Sequence, residues 1–140
     1  PVPKLTNGSP TLEIWKPFEP EAISAFVKKG KTVFVDATAE WCVTCAVNKS
    51  LVLNDPRITS ILADPNVIAM RADWTKQDPR VTRFLQDHGR YGIPFNIVFG
   101  PENPKGISLP EILTIGTVEE AFKNVGFHPT HNGLPNDKSR

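Results

Sequence analysis

Apolar residues change their spacing several times along this chain, and each change marks an element. Leu12-Glu13-Ile14-Trp15 alternates apolar and polar, as a short strand does. Pro20 then opens a helix with Ala22, Ile23, Phe26 and Val27 on one stripe, and Gly30 ends it. Within Thr32-Val33-Phe34-Val35-Asp36 the three central residues are all apolar, the pattern of a strand buried on both faces. The next helix starts at Cys42, with Val43, Ala46, Val47 and Leu51 as its expected buried side. Asp55-Pro56 supplies an N-cap and a first-turn proline for a helix with Ile58, Ile61 and Leu62 on one face. Val67-Ile68-Ala69-Met70, running on to Asp73-Trp74, is a second buried strand. Asp78-Pro79 caps a helix with Val81, Phe84, Leu85 and His88 at helical spacing and Gly89 as its stop.

The last third is read in the same way. Gly92-Ile93-Pro94-Phe95-Asn96-Ile97-Val98-Phe99 is a strand with a proline near its start, and Pro101 to Pro110 is a loop. Ile112-Leu113-Thr114-Ile115 is expected as a final edge strand, and Thr117-Val118-Glu119-Glu120 as the capping box of a helix through Val125. Residues 1–11, rich in Pro, Gly, Ser and Asn, read as a linker. The expected domain spans 12–126, and 127–140 is expected to be a flexible tail with little to bury. The order β-α-β-α-(α)-β-α-β-β-α predicts an α/β fold. A central mixed sheet of four to five strands would carry helices on both faces, with its last two strands antiparallel.

Composition narrows the function classes. The 140 residues, 39 % of them hydrophobic, suffice for one domain with a real core. Net charge is +1 and the basic residues are scattered, so no stripe suggests nucleic acid or anionic lipid. No apolar run has the length of a membrane span, so direct membrane insertion of this segment is not expected. The chain begins Pro1-Val2-Pro3, without methionine or a visible signal peptide, and reads as a piece of a longer protein or a mature product. Its cysteine use is compatible with cytosol or periplasm.

The chemistry is concentrated in Trp41-Cys42-Val43-Thr44-Cys45, which holds both cysteines of the chain. A C-x-x-C at the start of a helix closes a small disulfide. It also sets the first sulfur where backbone N–H groups favour a thiolate. Dithiol–disulfide exchange is the reading that fits a C-x-x-C directly after a buried strand. A structural disulfide and half of a zinc site are the alternatives. Zinc would need two more ligands, with only His88, His128 and His131 to draw on. No metal and no cofactor besides a redox-active Cys42–Cys45 pair is expected.

Phe34-Val35-Asp36-Ala37-Thr38-Ala39-Glu40-Trp41-Cys42-Val43-Thr44-Cys45 resembles the active-site strand and turn of thioredoxins, and Ile93-Pro94 resembles their cis-proline segment. The Trp-Cys-Val-x-Cys form, the Ala-Glu lead-in and the later Ala-Asp-Trp-Thr resemble one branch more closely. That branch is the C-terminal periplasmic domain of DsbD-type thiol:disulfide interchange proteins, with their ScsB relatives. The likeness runs roughly from Trp15 to Val125. It implies a thioredoxin-like fold and a place in a relay. A membrane-embedded domain of the same protein would carry electrons from cytosolic thioredoxin to this dithiol. The dithiol would then reduce a periplasmic thiol–disulfide protein or domain, acting as a monomer. Departures are visible. Val43-Thr44 replaces the thioredoxin Gly-Pro, Ala46 stands where many members have lysine, and Lys49 stands where some DsbD-type domains have an acid.

The resemblance assigns roles. Cys42 is the expected nucleophile and Cys45 the resolving thiol beneath it. Asp36, at the inner end of a buried strand, is expected to take or give the Cys45 proton, the alternative being a helix-capping or hydrogen-bonded strand-end aspartate. Glu40 would disfavour a thiolate nearby, and Trp41 would pack at the rim. Ile93, Pro94 and Phe95 form the expected docking edge, where a cis bond leaves backbone groups for a partner strand beside Cys42. His88 is expected at the core edge, Trp74 in or near the core, and His128 and His131 in the inert tail. Asp78 and Asp87 are not expected to form a dyad. Two other functions compete: a free-standing thioredoxin-like oxidant or isomerase, and a binding module that keeps a structural disulfide.

Overall fold

A computed structural model describes residues 14–130. Its strands are β1 Trp15–Pro17, β2 Thr32–Thr38, β3 Val67–Asp73, β4 Phe95–Gly100 and β5 Asn103–Ser108. Its α-helices are α1 Ile23–Lys28, α2 Val43–Asn48, α3 Pro56–Leu62, α4 Pro79–Asp87 and α5 Ile115–Asn124. A 3-10 turn at Pro20–Ala22 leads into α1, and a π-helical segment, Lys49–Leu53, extends α2. The strands form one five-stranded sheet in the order β1-β3-β2-β4-β5. β3 is parallel to both β1 and β2, while β4 is antiparallel to β2 and to β5. The mixed α/β architecture with an antiparallel final pair is the expected one.

β2 is the axis of the sheet, and all seven of its residues are buried. Its side chains alternate between two cores. Val33, Val35 and Ala37 meet Ile23 and Val27 of α1 and Phe84 of α4. Phe34 enters the opposite core with Ile58 of α3 and Phe122 of α5, stacking on Phe122 at 5.6 Å between ring centroids. Asp55 and Asp78 cap α3 and α4 through Arg57 N–H and Arg80 N–H. Gly30 and Gly89 end α1 and α4 at φ +88° and +72°.

Several expectations are corrected. Pro101 to Pro110 is not a loop, because β5 lies within it, and Ile112-Leu113-Thr114-Ile115 is not a strand. Pro104 and Gly106 hide β5 from a propensity reading, yet an edge strand tolerates both. Gly106 sits at φ +95°, and a Cβ there would lie 2.8 Å from Ile97 and Phe99 side-chain atoms. The Leu113 N–H bonds to the Asn48 side chain instead of a sheet neighbour, and Thr114 serves as N-cap of α5. The capping box is therefore Thr114 with Thr117, one turn earlier than expected. Phe127, assigned to the tail, packs in the core at 8 % exposure. Thr130 is also docked, donating twice to Asp64, so packing continues past 126. The expected linker 1–11, the strand residues Leu12 and Glu13, and the tail residues 131–140 with His131 lie outside the described residues.

The face of α2 is also reversed. Val43, Val47 and Leu51 are exposed at 77 %, 43 % and 67 %, and Ala46 is exposed too. Cys45, Asn48, Val52 and Leu53 face inward instead. Both sets have helical spacing, so periodicity alone selects the apolar stripe, while the buried stripe is the one that carries Cys45 and the polar Asn48. Asn48 is tolerated inside because its amide is satisfied. It donates to the Glu111 carbonyl at 2.8 Å and accepts from Leu113 N–H at 3.0 Å. Asn48→Ala would strand both backbone groups and is expected to cost about 1–3 kcal/mol. Urea denaturation measures this, and an unchanged midpoint would show that the bridge contributes nothing.

Candidate active site

β2 runs out into Ala39-Glu40-Trp41, and the chain turns into α2 at Cys42. Cys42 is the N-cap of α2, and its Sγ accepts the Cys45 N–H at 3.1 Å. The two cysteines are joined by a disulfide with a Cα–Cα separation of 5.2 Å. Cys42 is 8 % exposed and Cys45 2 %, so the first sulfur is the more accessible of a covered pair. Ala39 packs against both, and Ile93 closes the cluster from across the site. The Ile93–Pro94 peptide is cis. Pro94 is buried, and Phe95 lies in the core at 1 % exposure, paired with Ala37 of β2.

The turn before Cys42 is tied to the end of β3. Glu40 N–H donates to Thr75 Oγ1, and Trp41 Nε1 donates to the Thr75 carbonyl, both at 2.9 Å. Thr75 in turn donates to Asp73 from its N–H and its hydroxyl. These hydrogen bonds, the side-chain one foremost, hold the Asp73 carboxyl below the ordinary carboxylate range. The Trp41 ring lies 6.2 Å from that of Trp74, half in solvent at 54 % exposure. Trp74 is a core residue whose Nε1 donates to Thr82 Oγ1. His88 sits at the core edge, with Nδ1 2.9 Å from the Phe84 carbonyl and its ring on Phe84.

Asp36 is buried at 3 % exposure, and both of its oxygens are engaged. Arg71 Nε meets Oδ2 at 3.1 Å, and Asn96 Nδ2 donates to Oδ1 at 2.8 Å. Arg71 and Asn96 are the residues paired with Asp36 on the two flanking strands. Sequence reading missed both, since the pairing of β2 with β3 and β4 is not local. The available signal was a lone arginine inside the apolar run of β3, since a charge there needs a partner.

A pocket of about 220 Å³ opens between this ion pair and the dithiol turn, walled by Thr38, Ala39, Glu40, Lys49, Arg71 and Asp73. Lys49 is half-buried in it. Burial first, then the positive charge of Arg71, pulls its ammonium below the ordinary lysine range, while Asp36, Asp73 and Glu40 oppose the shift. Among the described residues no cluster of three or more His, Cys, Asp or Glu side chains is placed to hold a metal ion.

A disulfide closed across the first turn of a helix, with the leading sulfur under a backbone N–H, is equipped for thiol–disulfide exchange. The chain belongs to the thioredoxin-like family, whose model matches residues 14–101. It is similar to the thiol:disulfide interchange protein DsbD 1 of Pseudomonas aeruginosa, 28 % identical over 86 % of this chain and 20 % of the relative. It is also similar to DsbD of Escherichia coli K12, 31 % identical over 55 % of this chain and 14 % of the relative. It thus spans a fifth or less of the length of these relatives. Among solved structures, the oxidised C-terminal domain of Neisseria meningitidis DsbD matches with a TM-score of 0.59 at 21 % identity, covering 74 % of this chain and 89 % of that one. A thioredoxin from Thermus thermophilus matches at 0.60 and 19 % identity, over 79 % and 85 %. These structures show the shared fold.

The Asp73–Thr75 link has a pH signature. A carboxyl whose folded pKa is depressed stabilises the fold above its unfolded value and loses that contribution as pH falls through the folded one. Wild type should therefore exceed Asp73→Asn in stability at neutral pH, with the gap closing as pH drops through and below the ordinary carboxylate range. Urea melts across pH measure it, and a gap independent of pH would contradict the assignment.

Proposed function

We propose that this chain is a protein-disulfide reductase domain of a larger, membrane-anchored interchange protein. Electrons arrive from a membrane-embedded domain of the same protein. They leave by dithiol–disulfide exchange to a periplasmic thiol–disulfide protein or domain. The observation that carries this reading is the Cys42–Cys45 disulfide at the N-terminus of α2, bordered by exposed apolar side chains. Trp41, Val43 and Tyr91 are 54 %, 77 % and 81 % exposed, and all lie close in sequence to Cys42 or to the Ile93–Pro94 turn. Similarity to DsbD relatives supports the relay and the periplasmic setting. Among the described residues no helix is long and apolar enough to cross a membrane.

In the reduced domain the Cys42 thiolate attacks a partner disulfide. One partner sulfur leaves as thiolate, and a mixed disulfide forms on Cys42. The N–H that now points at Cys42 Sγ favours the attacking thiolate. Cys45 then loses its proton, attacks Cys42 Sγ and releases the second partner sulfur. Two electrons have moved to the partner, and the Cys42–Cys45 bond is restored. In this reading Ile93 and Pro94 guide the partner segment, Phe95 anchors their turn from the core, Trp41 lines the rim, and Glu40 keeps the couple reducing by opposing negative charge on Cys42.

The roles are tested by trapping. Cys45→Ser should accumulate mixed disulfides on non-reducing gels, and limited iodoacetamide treatment of the reduced protein should label Cys42 first. Trapping by Cys42→Ser alone, or labelling of Cys45 first, would exchange the two roles. The apolar border makes a separate prediction. Val43→Glu should slow reduction of insulin by roughly tenfold, as one lost apolar contact of about 1.4 kcal/mol would. It should leave reduction of dithiobis-nitrobenzoate nearly unchanged, because that small disulfide needs no docking. Equal effects on both would place Val43 outside the docking surface.

A further inference from the structure

The pocket behind the dithiol turn, with Glu40, Lys49, Arg71 and Asp73 in its wall, is not explained by attack or docking. Asp36 has both oxygens engaged by Arg71 and Asn96, so it is a poor sole partner for the Cys45 proton. The pocket contains a second charge of the opposite sign. The Lys49 N–H bonds to the Cys45 carbonyl, and Lys49 has helical φ and ψ of −63° and −48°. The two side chains are therefore one α-helical turn apart, with Cβ atoms roughly 5–6 Å from each other. Ala39 forms a wall of the pocket and packs on both cysteines, which places Lys49 and Cys45 on adjoining surfaces.

Two buried polar atoms without partners belong to residues of the pocket wall. Thr38 is 3 % exposed, and its Oγ1 has no hydrogen-bond partner among the described residues. Arg71 Nη2, also buried, has none either. Both residues line the pocket, and its volume of about 220 Å³ exceeds the share of one water several-fold.

We propose that Lys49 is a positioning residue for the resolving step, its ammonium stabilising the Cys45 thiolate that forms behind the mixed disulfide. Around the Lys49 ammonium stand Arg71 and Asp73 from β3, Asp36 from β2 and Glu40 from the turn. Three carboxylates face two cations. Without Lys49, Arg71 alone would balance Asp36, Glu40 and Asp73, and a thiolate would add a fourth negative charge. Burial, then Arg71, pulls that ammonium below the ordinary lysine range, and the three carboxylates act against the shift. In the resolving step Cys45 loses its S–H proton to solvent and the Cys45–Cys42 bond forms. The bond from Cys42 to the partner sulfur breaks, and that sulfur leaves with the electron pair. The proposal rests on Cys45 as the resolving thiol.

The test separates the charge effect from that reading. In full-chain Cys42→Ser protein, Cys45 is the single thiol, and ultraviolet thiolate absorbance follows its titration. Lys49→Met should move that titration to higher pH by about one unit, and Lys49→Arg should restore most of it. Coincident titration of Lys49→Met and the parent would overturn the proposal. So would an equal shift in Met and Arg variants, since that would be packing and not charge. With both cysteines present, stopped-flow resolution of a preformed mixed disulfide on Cys42 should slow about threefold near neutral pH in Lys49→Met. The tenfold loss of thiolate is partly offset by the greater nucleophilicity of a more basic sulfur. If the adduct forms on Cys45 instead, the assignment of roles falls, while the titration result still reports the charge.

Discussion

A carboxylate in the middle of a fully buried strand must be satisfied by its neighbours, and the Asp36 ion pair is where this molecule meets that demand. Removing one partner of such a pair typically costs about 3–5 kcal/mol, because the other charge is left buried and uncompensated. β3 must therefore bring Arg71, and β4 must bring Asn96, to the level of Asp36. Arg71 also lies 3.9 Å from the centre of the Trp15 ring, so the same guanidinium ties the edge strand β1 to the sheet. The pairing register of four strands meets at one charged group, and that group sits behind the redox centre.

From this anchor the geometry of the dithiol follows. β2 ends just beyond Asp36, so its continuation crosses the top of the sheet and must turn. The turn is fixed through Thr75, which binds Glu40 and Trp41 from the end of the neighbouring strand. Cys42 then caps α2, and the helix carries Cys45 inward and Val43 outward. The π segment allows Val52 and Leu53 to reach the core while Lys49 stays over the charged pocket. One side of the dithiol is thus apolar and open to a partner. The other faces a pocket with Glu40, Lys49, Arg71 and Asp73 in its wall.

Much of this was legible in the sequence, and the reasons are physical. Strands buried on both faces are continuous apolar runs, so β2 and the buried part of β3 could be read directly. Asp-Pro caps located the starts of α3 and α4, and Gly30 and Gly89 the ends of α1 and α4. The Cys-x-x-Cys pair was visible because it is local. Illegible features depended on distant residues or on departures from regular geometry. β5 is a strand because Gly106 lets the chain pass close to Ile97 and Phe99, and not because its residues favour strands. The exposed stripe Val43, Val47 and Leu51 looks like a core face until Asn48 is seen holding Glu111 and Leu113 inside. The pairing of Asp36 with Arg71 and Asn96 requires the sheet order, and Lys49 gains meaning only once the pocket around it is known.

The central claim is that this centre donates electrons, and the reduction potential of the Cys42–Cys45 couple tests it most directly. Val43-Thr44 places no cation between the cysteines, Glu40 stands beside Cys42, and Lys49 acts on the buried sulfur. The attacking thiolate is accordingly not stabilised to the degree seen in strong oxidants. Equilibration of the domain with glutathione buffers should give a value of about −200 to −270 mV, in the range from glutaredoxins to thioredoxin. A value near −120 mV, where a strong oxidant such as DsbA lies, would contradict the account and make the domain an acceptor of electrons.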